Sequence, residues 1–272
     1  MLRTPFAAVL LLLTFPLAAA DAPRFQFAVP KALKFTIKQT TIVLDDDTSG
    51  IPHRLVAVET SEAMLAPADK GYLLTKHPTN FEVLVDGHHV DSEAVAAAVK
   101  GSTITLAIDE QGTAKHAAGY EAMQAALAGS NIAGRVLPKD LAARDVAAWN
   151  DRMLLRNQRA DRGTEWQLPQ HDGSVRTFTI ADLQPCGATT ECVTVRSKWE
   201  ANSEDLLKRA NANVATPLKA ARLQLHFESL VDAATLLPHY EKRTSQQFIS
   251  IPKGRGVIER RITKIDEVDY QY

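Results

Sequence analysis

Apolar and polar residues alternate with a period of two along much of this chain. Leu33, Phe35 and Ile37 are separated by Lys34, Thr36 and Lys38, the pattern of a strand with one buried face. Phe81, Val83 and Val85 repeat it and end at Asp86-Gly87, a hairpin signal. The cleanest run is 221–231. Ala221, Leu223, Leu225, Phe227 and Val231 face one way, and Arg222, Gln224, His226 and Glu228 the other. Such a strand has one wet and one buried face, as antiparallel sheets do. Further strands are predicted over Leu55–Thr60, Gly71–Leu74, Ile104–Ile108, Val175–Ile180 and Val193–Trp199. Others are predicted at Trp166 and Leu168, from Pro238 to about Phe248, and from Val257 to about Ile265.

The period changes in two places. Asp91 or Ser92 can cap an Ala-rich helix through Val99. A helical block follows near residues 119–159. Its first part, Tyr120–Ala128, stops at Gly129. Its second starts at Pro138, a residue suited to a first helical turn, and runs to about Arg159. Leu141, Val146, Trp149 and Met153 share one face of that helix, with Asp140, Arg144, Asp151 and Arg152 expected on the water side. An isolated amphipathic helix is marginal, so the apolar face is expected to pack on the strands with Trp149 buried. If the helix lids a cleft, Trp149 and Met153 are the candidate cleft-lining residues. Ser203 can cap a short helix to Asn211. Strand runs interrupted by a helical block predict an α+β protein. It would be one large antiparallel sheet with helices packed on one face, in a single domain over residues 21–272.

The first twenty residues change the setting. Arg3 precedes an apolar run, Phe6–Leu13, followed by Pro16 and Ala18-Ala19-Ala20, the arrangement of a cleavable secretory signal peptide. Residues 1–20 are read as that signal, and the mature protein as periplasmic or secreted. No other stretch is long and apolar enough to be a membrane-spanning helix. The 31 basic and 32 acidic residues nearly cancel, and no Lys/Arg-rich run points to nucleic acid. Cys186 and Cys192 are the only cysteines. In an oxidising compartment a close pair reads as a disulfide, here a staple across a hairpin turn containing Gly187. A redox pair or half a zinc site are the other readings, disfavoured by the absence of C-x-x-C spacing and of a further cysteine.

Chemistry-bearing motifs are sparse. Asp45-Asp46-Asp47 lacks EF-hand spacing and reads as a turn. His88 and His89 point to opposite faces of any strand and cannot chelate together. His226 and Glu228 could form an acid/base pair, but a solvated strand face is the better reading. No nucleophile elbow, Walker A loop or dinucleotide fingerprint occurs. No cofactor is expected.

The segment Leu223–Ser245 reads as strand, then Val231-Asp232-Ala233-Ala234-Thr235-Leu236-Leu237-Pro238, then strand. It resembles the D-x-x-T-x-L-P hairpin of periplasmic lipoprotein-carrier and lipoprotein-localisation-factor proteins, and is also similar to uncharacterised families of bacterial secreted β-rich proteins. The resemblance implies a half-open barrel whose concave face, lidded by helices, holds acyl chains. The expected function is therefore non-enzymatic binding of a hydrophobic ligand or lipidated partner in a cleft between sheet and helices. An envelope interaction protein docking a protein partner is the alternative, and a hydrolase with a non-local site the third reading.

Overall fold

The computed structural model describes residues 24–29, 31–46, 53–90, 93–128, 140–186, 191–212, 217–254 and 256–272. The expected signal peptide, the caps Asp91 and Ser92, Pro138 and Gly187 lie outside them. The chain is an α+β protein built on one open antiparallel sheet. Its strands are β1 (Leu33–Asp46), β2 (His53–Ala68), β3 (Gly71–Val85), β4 (His88–His89), β5 (Ile104–Ile108), β6 (Ala114–Ala118), β7 (Glu165–Pro169), β8 (Val175–Pro185), β9 (Glu191–Glu200), β10 (Ala220–Asp232), β11 (Pro238–Lys253) and β12 (Gly256–Gln271). The helices are α1 (Glu93–Lys100), α2 (Glu121–Ala128), α3 (Leu141–Met153) and α4 (Ser203–Asn211).

The spatial order is β6-β5-β3-β2-β1-β12-β11-β10-β9-β8-β7, with β4 a short flap on β3. Two meanders thus meet where the first and last strands pair, from Thr36 opposite Gln271 to Asp46 opposite Arg261. Several strands are longer than alternation alone predicts, β2 and β8 among them. The separate strands expected at Gly71–Leu74 and Phe81–Val85 are one strand, β3, that runs through Pro78. Proline lacks an amide donor and normally ends a ladder. Here a register shift at Thr60/Ser61 takes up the interruption, and Thr79 Oγ1 donates to Thr60 O at 3.2 Å. β11 and β12 likewise extend five or six residues past their expected ends.

β6, Ala-Lys-His-Ala-Ala, was not predicted as a strand, because its residues have little strand preference. Side chains hold it in place. Asp109 Oδ1 accepts from the Gln111 and Thr113 amides, closing the turn that brings β6 back along β5. Asn150 of α3 then makes two bonds to Ala114, accepting from its amide at 2.7 Å and donating to its carbonyl at 3.0 Å. α3 is shorter than expected. It starts after Asp140, whose side chain caps Ala143 N, and ends at Met153 rather than near Arg159.

The sheet curls around α3. Asn150 touches β6, and its neighbour Asp151 accepts from Arg176 of β8 at 2.9 Å. Nine inter-strand steps separate β6 from β8, roughly 43 Å on a flat sheet at about 4.8 Å per step. A single helix can meet both strands only inside a half-barrel. The two wings of that half-barrel hold separate apolar clusters. One gathers β1–β3, β5 and β6 with α1, α2 and the Leu141–Trp149 face of α3. The other gathers β8, β9 and β10 with Phe25, Leu155 and Ala160. Phe27 and Met153 pack against both.

The Asp232–Pro238 hairpin joins the clusters. Asp232 Oδ1 accepts from the Ala234 and Thr235 amides. Leu236 takes a left-handed φ of 56°. Leu236 then enters the second cluster and Leu237 the first. Among the described residues no helix is long and apolar enough to cross a membrane.

Candidate functional site

Between the clusters the inward face of the sheet changes character. β1 presents Gln39 and Thr41 inward, β11 presents Glu241, Arg243 and Ser245, and β12 presents Lys264 and Asp266. α3 crosses this polar strip and stands over an open cavity of about 300 Å3. The cavity wall is mixed. Phe35, Ile37, Leu74, Leu106, Trp149 and Phe227 supply apolar surface, and Tyr270 and Tyr272 line the end nearest the C-terminus.

Both sides of α3 are therefore engaged, contrary to the expectation that Arg144, Asp151 and Arg152 face water. The apolar side behaves as expected. Trp149 is 3% exposed. Its indole donates to Gly112 O at 2.7 Å, and its ring meets Phe27 edge-on. The charged side points at the sheet, because the sheet wraps far enough to oppose it. Asp145 accepts from Lys76 Nζ and from Tyr120 Oη, each at 2.5 Å, and from Arg144 Nη2 at 2.8 Å. Asp151 is shared by Arg176 at 2.9 Å and Arg243 at 2.6 Å. Arg152 is 6% exposed and pairs with Glu241 at 3.0 Å. Tyr270 Oη donates to the other oxygen of Glu241 at 2.8 Å. Asp140, by contrast, is exposed, and its side chain caps the helix.

These contacts fix protonation. Burial would push the Asp145 carboxyl upward, but the Lys76 and Arg144 charges outweigh it and hold the group well below the usual carboxylate range. Burial and the Glu241 charge raise Tyr270 far above a free phenol, and burial raises Tyr120 likewise, reinforced by Asp145. Asp145 is thus a permanent anion and a weak base. Its setting is that of a structural counter-ion.

Of the residues singled out in the sequence, Trp149 forms part of the cavity wall. Met153, one turn on, sits between the two apolar clusters beside Phe27. Cys186 and Cys192 form a disulfide across the β8–β9 hairpin, with Cα atoms 5.5 Å apart. A ring nitrogen of His239 lies within 4.8 Å of both sulfurs. A zinc site requires free thiolates, which the disulfide ties up. His226 is exposed, and Glu228 is taken by Arg196 at 2.6 Å, so they do not form a pair. Asp45 and Asp46 pair with Arg260 and Arg261 of β12. His88 and His89 are both exposed on β4. Sequence patterns missed Lys76, Tyr120, Glu241, Arg243 and Tyr270, because they come from β3, the residue before α2, β11 and β12, far apart in the chain.

No protein-family model matches the chain, and no curated protein matches it. Among solved structures, one titled "Lipid-protein interactions in lipovitellin" is similar, with a TM-score of 0.50 and 8% identity. The alignment covers 90% of this chain and 25% of that one, so this chain spans about a quarter of its length. At that identity the likeness concerns the fold: an open, strongly curved antiparallel sheet with helices against it.

Proposed function

We propose that this chain is a non-enzymatic binding protein that takes a hydrophobic or amphiphilic ligand between the curled sheet and α3. The cavity carries this reading. It has about 300 Å3 of space in the concave face of a half-barrel, and small-molecule sites begin at about that volume. The apolar wings would hold a hydrocarbon portion and the polar strip would hold a head. The likeness to a lipovitellin structure supports the same use of the fold. So does the resemblance of the Asp232–Pro238 hairpin to that of lipoprotein carriers, a family whose concave face serves acyl chains. The Cys186–Cys192 disulfide supports a periplasmic or secreted setting, where such bonds persist.

The test is mass spectrometry of protein purified from its native host under non-denaturing conditions, followed by organic extraction. A hydrophobic small molecule recovered at close to one per chain is expected. Protein that carries no such molecule and takes up neither fatty acids nor fatty alcohols in titration contradicts the proposal.

A further inference from the structure

Arg152 is a buried charge whose Nε has no hydrogen-bond partner among the described residues. A buried guanidinium carries five N–H donors and needs acceptors for them. Arg152 is 94% buried (6% exposed). Its Nε approaches Glu241 Oε1 at 3.0 Å but off the N–H direction, so neither atom has a hydrogen-bond partner among the described residues. The other Glu241 oxygen is taken by Tyr270. The guanidinium instead lies over aromatic faces, 4.6 Å from the Trp149 ring centroid and 5.8 Å from that of Tyr270. Glu241 balances the charge of Arg152 and leaves its Nε donor unused. All of these groups belong to the cavity wall or touch it.

The wall itself carries five cations, Lys76, Arg144, Arg152, Arg243 and Lys264, and three anions, Asp145, Glu241 and Asp266. Glu59 and Asp151, which act on those cations from just behind, bring the two signs to balance. Two carboxylates are each divided between two cations, Asp145 between Lys76 and Arg144 and Asp151 between Arg176 and Arg243. A buried guanidinium with an unused donor at a cavity suits an anion, and its planar fork suits the paired oxygens of a carboxylate or phosphate. Phe35, Ile37, Leu74, Leu106 and Trp149 give the same cavity an apolar wall for a hydrocarbon chain beside that anion.

We propose that the ligand is an anionic amphiphile, with its carboxylate or phosphate on the Arg152 guanidinium and its hydrocarbon portion along the apolar wall. This rests on the binding function proposed above and goes further by naming the ligand class.

The test compares laurate, dodecyl phosphate and dodecanol by calorimetric titration at about pH 8, where the laurate carboxyl is ionised. The intact protein is used as wild type, Arg152→Gln and Arg152→Lys. Wild type is expected to bind at least one of the two anions about tenfold or more tightly than dodecanol. Arg152→Gln should bring the affinity ratio of that anion to dodecanol close to one, and Arg152→Lys should restore part of the preference. Which anion binds tighter separates carboxylate from phosphate. Equal binding of all three by wild type, or a preference that survives in Arg152→Gln, overturns the assignment and leaves the binding function standing. Failure of all three to bind wild type removes both. The wild-type comparison does not depend on any variant folding.

Discussion

The wings and the centre of the inward sheet face solve different problems. In the wings the interior is mostly apolar and filled. Leu65, Val95, Val99, Phe178, Val193 and Val195 are essentially inaccessible to water, as expected of a packed interior. At the centre the inward positions are polar or charged, and α3 stands over them with a cavity beneath. Hydrophobic side chains there would have been at least as stabilising, since buried ion pairs seldom outdo well-packed apolar replacements. The wings therefore account for folding. The centre makes sense as a site, where local rules of stability are set aside for recognition.

The sharpest way to break this comparison is at Trp149, which belongs to both regions. Trp149→Ala should destabilise the fold by about 3–5 kcal/mol, as expected for a large buried aromatic. It should also weaken dodecanol binding in whatever fraction stays folded. A variant with unchanged denaturant midpoint would show that α3 is not anchored by its apolar face.

Next in size is Asp145→Asn, which leaves Lys76 and Arg144 facing each other without their shared anion. The loss should be about 3 kcal/mol at neutral pH. Its pH dependence has a definite sign. Asp145 is depressed below its ordinary value of 3.8 in the folded state. Its contribution is therefore complete above the unfolded-state value and is lost as pH falls toward the folded-state value. The stability gap between wild type and Asp145→Asn should be level above about pH 5 and shrink steadily below about pH 4. A gap that widens in acid would show that Asp145 is not held by these cations.

A smaller effect is expected in the second wing. Replacing Cys186 and Cys192 with Ser opens a short loop and should cost about 1–3 kcal/mol. Dodecanol affinity should stay unchanged, because the disulfide lies outside the cavity wall. In unreduced protein neither thiol should label. Rapid labelling would remove the staple from the account.

The wings were far more legible in the sequence than the centre. Period-two alternation identified β10 and the start of β1 because each strand has an apolar neighbour on one side and water on the other. It missed β6, whose Ala-Lys-His-Ala-Ala depends on Asn150 thirty-six residues away in sequence. It divided β3 at Pro78, because the compensating register shift lies on another strand. In α3 the helical period correctly placed Leu141 and Trp149 inward. It misjudged Arg152 and Asp151, because periodicity shows which face is apolar and not what opposes the other face. That face meets β8 and β11, which come close only once the sheet has curled. The cavity could not be read in advance for the same reason. Its wall draws on β1, β3, β5, α3, β10, β11 and β12, and no local pattern links them.

The central claim is that the space under α3 is a ligand site, and Ala148 tests it most directly. This small residue lines the cavity from the helix side, and a larger side chain there would occupy the space a ligand needs. Ala148→Trp, checked for a cooperative melt since overpacking costs about 1–3 kcal/mol, should be titrated with dodecanol beside wild type. The account predicts about a tenfold or greater loss of affinity in a folded variant, the scale at which filling a pocket registers in binding. Wild-type affinity in folded Ala148→Trp would contradict it, because the ligand would then bind elsewhere.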